Sequence, residues 1–142
     1  VIEVCYNDVE EVPDLDSELL VLWLLAAVKE EGFVCENLSV VFCSDAFLIE
    51  MNRSYLNHDF YTDIITFDYS DWPTLSGELY ISLDRVQENS IELKQEFLTE
   101  LRRVCVHGIL HLCGYKDKLL EEEMQMREME NYYLKKYVSR ET

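Results

Sequence analysis

The stretch VHGILHLCGYKDK, residues 106–118, decides how the rest of the chain is read. From Val104 to Tyr115 every residue is apolar, a cysteine or a glycine, except His107 and His111. A helix turns about 100° per residue, so positions four apart lie within about 40° of each other and both imidazoles share one face. The rest of the circumference is apolar, which places this helix in a core. A buried imidazole needs hydrogen-bond partners or a metal, and two of them at i and i+4 chelate one divalent ion from a single turn. Gly108 costs about 1 kcal/mol of helix propensity, a loss that makes sense where a backbone or a substrate must come close. Gly114 ends the helix and turns the chain. Asp117 beyond that turn is the third-ligand candidate; its competing role is to cap the next helix. Cys105 and Cys113 point away from the histidine face.

Outward from this helix, the pattern alternates strands and helices. IEVCYND at 2–8 reads as a strand. Asp14, Asp16 and Ser17 offer N-caps to a helix that runs to about Glu31 and stops at Gly32. LSVVFC at 38–43 is a β-branched strand, and Ser44 caps a helix over 45–55 in which Phe47, Leu48, Met51 and Tyr55 have helical spacing. Residues 63–69 and 77–83 read as two further strands, joined by a loop, SDWPTLS, at 70–76. Helical patterns then cover 84–92, 94–113 and the segment from 119, whose acids come first and lysines last, as the helix dipole favours. The order predicts an α+β fold: one domain over 1–142, a mixed four-stranded sheet packed with about five helices, and a metal site on a core helix.

With 142 residues, 49% of them hydrophobic, the chain has the size and composition of one domain with one core. The apolar run LLVLWLLAAV at 19–28 is too short to span a membrane, so no membrane association is expected. Five cysteines without a C-x-x-C pair read as free thiols in a reducing cytosol. The net charge of −17 favours basic protein partners and argues against autonomous binding to nucleic acid.

HGILHLCGY resembles the H-G-x-L-H-L-x-G-Y signature of the YbeY family, bacterial endoribonucleases and ribosomal-RNA maturation factors. MNRSYLNHDFYTDIITF at 51–67 is similar to that family's L-N-x-x-Y-R-x-K-D-x-P-T-D-V-L-S-F segment, and SGELYISLDRV at 76–86 to its L-G-D-I strand. The resemblance implies a zincin-like site with zinc, or another divalent ion, on His107 and His111. The family's third histidine falls on Asp117, and a carboxylate is a competent zinc ligand. The family's arginine falls on Leu56, its lysine on His58 and its proline on Tyr61; Asp59, Thr62 and Asp63 are retained. Arg53, one helical turn before Leu56, is a weak candidate to replace that arginine, and His58 a weak candidate for a proton donor or phosphate contact. Asn52, Thr62 and Asp63 are expected to tie loops to the sheet.

The implied function is a cytoplasmic, metal-dependent endoribonuclease that matures the 3′ end of 16S ribosomal RNA. It would meet that RNA within the small ribosomal subunit, where basic ribosomal proteins offset the acidic surface. The alternative is a non-catalytic ribosome-assembly factor with a structural metal. A zinc peptidase would carry H-E-x-x-H with the glutamate as base, and Gly108 stands in that place.

Overall fold

Nine elements follow one another in the computed structural model, which describes residues 1–141 in backbone and 1–137 in side chain. They are β1 (Ile2–Tyr6), α1 (Ser17–Glu30), β2 (Val34–Cys43), α2 (Asp45–Leu56), β3 (Ile64–Asp68), β4 (Thr74–Ser82), α3 (Leu83–Glu92), α4 (Phe97–Leu112) and α5 (Leu120–Glu141). The four strands form one sheet in the order β1-β2-β4-β3. β1 and β2 are parallel, as are β2 and β4, while β3 runs antiparallel to β4 at the edge. Among the described residues the sheet is mixed and the helices number five, as expected.

Alternation along the strands sorts the layers. Leu75, Leu79 and Ile81 of β4 and Leu38, Val40 and Phe42 of β2 are all buried on one face, beneath α1 and α4. Full burial of such side chains is worth about 1.5–3 kcal/mol each. The opposite face carries Cys43, Ile65, Phe67 and Tyr80, and Phe47 and Met51 of α2 pack on it. Helix α4 is therefore enclosed by the sheet and by neighbouring helices, and Val104, Cys105, Val106, Ile109, Leu110 and Leu112 are all buried.

Local signals determine the helix starts. Asp16 accepts a hydrogen bond from the Leu19 amide and caps α1; Ser44 accepts from Phe47 and caps α2. Several boundaries differ from expectation. β1 ends at Tyr6, and β2 begins at Val34 with a register shift between Cys35 and Leu38. β4 begins at Thr74, inside the expected loop, because Asp71 and Thr74 exchange backbone hydrogen bonds of 2.9 Å and close a tighter hairpin. α4 begins at Phe97 because Lys94, at φ 55°, takes the left-handed conformation that breaks a helix. The last helix begins at Leu120.

Gly108 faces the sheet. A Cβ there would lie 2.8 Å from Ile64 Cδ1 and 2.9 Å from Leu79 Cδ1. The close approach inferred from sequence is thus made by strand side chains, and it seats the histidine turn directly on β3 and β4. At the far end, Glu31 after α1 accepts hydrogen bonds from the hydroxyls of Tyr115 and Tyr133, and Trp23 Nε1 donates to the Tyr133 carbonyl at 2.8 Å. These contacts anchor both the turn that follows α4 and the helix α5 beside it.

Candidate metal centre

His107 Nε2, His111 Nε2 and Asp117 Oδ2 form a triangle with edges of 3.0, 3.1 and 3.3 Å. A tetrahedral zinc ion bound at about 2.0–2.2 Å separates its ligand atoms by about 3.3–3.6 Å, so a small cation fits after an expansion of a few tenths of an ångström. The two histidines supply two of its corners because they stand one turn apart on α4. Asp117 reaches them because Gly114, at φ 103°, reverses the chain. Asp117 lies before the first turn of α5, and the Leu119 amide is instead capped by Glu122.

The far nitrogens decide what the triangle can hold. His107 Nδ1 lies 2.7 Å from Glu130 Oε2, and His111 Nδ1 lies 2.9 Å from the Tyr115 carbonyl oxygen. Neither oxygen donates, so each Nδ1 carries a hydrogen, and in the neutral imidazole each Nε2 presents a lone pair. Burial would raise the Glu130 carboxyl, but the hydrogen bond and charge of His107, with Arg103 and Arg127, hold it below the usual range. With both imidazoles neutral, three acceptors converge on one point and suit a cation between them; burial would lower His107, but the hydrogen bond and charge of Glu130, with Asp63 and Asp117, raise it, so in the metal-free chain a proton competes for that place. The donor set, two imidazoles and one carboxylate, suits zinc and other divalent ions that accept nitrogen and oxygen.

Glu130 is the residue that the sequence reading missed. It is 4% exposed on α5, and Arg103 of α4 donates to its other oxygen at 3.1 Å. The available signal was a glutamate in helical register with Met126, Tyr133 and Tyr137, all buried. Its partner could not be read from one chain segment.

The triangle opens into a cleft of about 630 Å³ lined by His58, Phe60, Thr62 and Lys118, among others. His58 stacks on Phe60, with ring centroids 5.1 Å apart. Leu56 also lines this cleft. Arg53 is exposed and engaged elsewhere, at 2.5 Å from Asp59 and 3.5 Å from Glu50. Asn52 donates to the Phe60 carbonyl, Thr62 to the Ile64 carbonyl, and Asn89 to Asp63, so these side chains do tie the loop down. Burial pushes the Asp63 carboxyl upward, against the opposing charge of His107. Cys43 and Cys105 are buried and the other three cysteines are half-buried; all five are free thiols. No helix among the described residues is long and apolar enough to cross a membrane.

A family model described as Endoribonuclease YbeY matches residues 5–138. The chain is 43% identical over 129 residues to the Endoribonuclease YbeY of Chlorobium phaeobacteroides, covering 91% of each chain. It is 47% identical over 108 residues to that of Christiangramia forsetii, covering 76% of each. The solution structure of TM1509 from Thermotoga maritima aligns with a TM-score of 0.69 at 29% identity, covering 99% of this chain and 91% of that one. With a family model spanning nearly its whole length and relatives this similar, the chain belongs to the YbeY family.

Proposed function

We propose that this chain is a metal-dependent endoribonuclease that processes ribosomal RNA at the 3′ end of the 16S species, with one zinc ion held by His107, His111 and Asp117. The convergence of His107 Nε2, His111 Nε2 and Asp117 Oδ2 within 3.3 Å of one another at the head of an open cleft carries this reading. The name Endoribonuclease YbeY borne by its relatives supports the reaction class. A single domain over residues 1–142 carries the activity.

An ion with three protein ligands keeps a fourth position open and supplies Lewis acidity toward water and phosphoryl oxygen. The remaining work falls to the chain. Glu130 and the Tyr115 carbonyl hold the two imidazoles in the ligating tautomer. Asp117 contributes a negative charge, which makes the site less acidifying than one of three histidines. Lys118 and His58 line the cleft where a phosphate would lie and are suited to stabilise its charge. The −17 charge of the chain is compatible with this reading when RNA is met inside the small ribosomal subunit, in the cytoplasm, where basic ribosomal proteins would supply attraction. Cleavage of a 16S precursor by the zinc-loaded protein, lost on chelation and absent in His111→Ala, is the expected result. Metal content unchanged in His111→Ala would overturn the ligand assignment.

One observation favours a second reading. Leu56 lines the cleft at the position where the family resemblance implies an arginine. A ribosome-assembly factor with a structural metal would bind small subunits and leave the precursor intact with or without chelator.

A further inference from the structure

The sheet ends at β1, on the side opposite β3, where the histidine turn is seated. The Val1 carbonyl accepts from the Leu38 amide and the Asn7 amide donates to the Phe42 carbonyl, both at 2.9 Å. Bonding residues alternate along a parallel ladder. Val1, Glu3, Cys5 and Asn7 therefore face β2, while Ile2, Val4 and Tyr6 turn their N–H and C=O groups outward. Among the described residues no hydrogen bond reaches those outward groups. An open edge is a template for another strand unless lysine, proline or a bulge blocks it. β1 has none of the three, and its register with β2 runs unbroken from Ile2 to Tyr6.

Beside this edge lies a groove of about 420 Å³ lined by Val4, Ser17, Glu18, Val21 and Leu22. Leu22 is 56% exposed. A strand added about 4.8 Å from β1 would place every second side chain on the groove side, with Val4, and the others on the side of Glu3. The Val12 amide donates to Tyr6 Oη at 3.2 Å, which keeps the loop of Glu10 and Glu11 beside the end of β1. Residues 1–28 hold seven acids, all exposed, and no lysine or arginine; the first is Lys29, at the far end of α1. A second copy of this chain would set seven acids against seven, and RNA phosphates meet the same repulsion. The complement of this edge is a cationic strand.

We infer that the β1 edge docks an extended, basic segment of a partner protein by strand addition. An apolar side chain of that segment enters the groove beside Leu22, and its lysines or arginines lie against Glu3, Glu10, Glu11 and Glu18. Main-chain bonds to Ile2, Val4 and Tyr6 give affinity, while the groove and the acids give selectivity. The site lies at the other edge of the sheet from the histidine turn and stands whether or not the chain cuts RNA.

The test uses the whole chain and a short peptide of alternating lysine and valine, with affinity read by fluorescence anisotropy and location by amide hydrogen exchange. The peptide is expected to protect the amides of Ile2, Val4 and Tyr6 and to leave β3 unchanged. The same peptide N-methylated throughout keeps its charge and cannot donate, and should bind at least about tenfold more weakly. Leu22→Ser should weaken binding about fivefold. The triple variant Glu10→Gln, Glu11→Gln, Glu18→Gln should weaken it about tenfold at low salt, with little difference at high salt. Equal affinity for the methylated peptide, or protection at β3 in place of β1, would overturn the inference. So would equal binding of a glutamate–valine peptide, protection of β1 by self-association that grows with protein concentration, or stronger protection by a short single-stranded RNA. Each of these failures leaves the endoribonuclease reading standing, because the groove includes none of the metal ligands.

Discussion

Oε2 of Glu130 lies 2.7 Å from Nδ1 of His107, although the two residues are 23 apart and belong to different helices. The carboxylate is 4% exposed and its other oxygen accepts from Arg103. This contact joins α5 to the metal centre and makes Glu130 a positioning residue for His107. Removing such an outer partner costs about 10- to 100-fold in metal affinity. Glu130→Gln is therefore expected to weaken zinc binding by that amount in a competitive chelator titration. Glu130→Ala should in addition destabilise the fold by about 3 kcal/mol, because the largely buried Arg103 loses its main counter-charge. Retained affinity in Glu130→Gln would show that the contact is incidental.

Zinc should stabilise the fold measurably. His107 Nε2, His111 Nε2 and Asp117 Oδ2, gathered within 3.3 Å of one another only in the folded chain, give the ion three ligands that the unfolded chain does not assemble. At a free concentration 100 times Kd the gain is about 2.7 kcal/mol, read as a rise in Tm of about 5–10 °C for a domain of this size. Asp117→Asn, which keeps the shape and removes the charge, should lose most of that rise. An equal rise in Asp117→Asn would exclude the carboxylate as a ligand.

Two glycines rank by what surrounds them. A Cβ at Gly77 would sit 2.4 Å from the backbone oxygen of Phe67, which cannot rotate aside. A Cβ at Gly108 meets only the methyl ends of Ile64 and Leu79, at 2.8–3.0 Å. For Gly108→Ala the overpacking cost of about 1–3 kcal/mol is partly offset by about 1 kcal/mol of helix propensity. The expected net loss is about 1 kcal/mol, with Gly77→Ala clearly worse in urea denaturation. The opposite order would mean that α4 cannot shift on the sheet.

Acid should loosen the tie between β1 and α2. Asp8 accepts hydrogen bonds from both the amide and the hydroxyl of Ser44. Burial works against them, yet these bonds hold the Asp8 carboxyl below its ordinary 3.8. A depressed folded-state pKa means that the unfolded chain binds the proton first. The contribution is therefore complete above about 3.8 and is lost as pH falls through the folded value. Asp8→Asn should lower stability near neutral pH, and its difference from wild type should shrink below pH 3.8 in a denaturation series. A difference that is constant with pH would remove Asp8 as the cause.

The sequence by itself determined what a single turn or a single cap can carry. His107 and His111 had to share a face because helix geometry leaves no choice at that spacing, and Asp16 and Ser44 announced α1 and α2 because their side chains bond amides three residues on. Tertiary structure alone decided the rest. It brought Glu130 and Arg103 behind His107, set Asp117 against both imidazoles rather than at a helix cap, turned Gly108 toward Ile64 and Leu79, and left Arg53 on Asp59 outside the cleft. The reason is physical: spacing along a helix is fixed by its own hydrogen bonds, whereas which side chain of a distant element faces it depends on how the helices pack over the sheet.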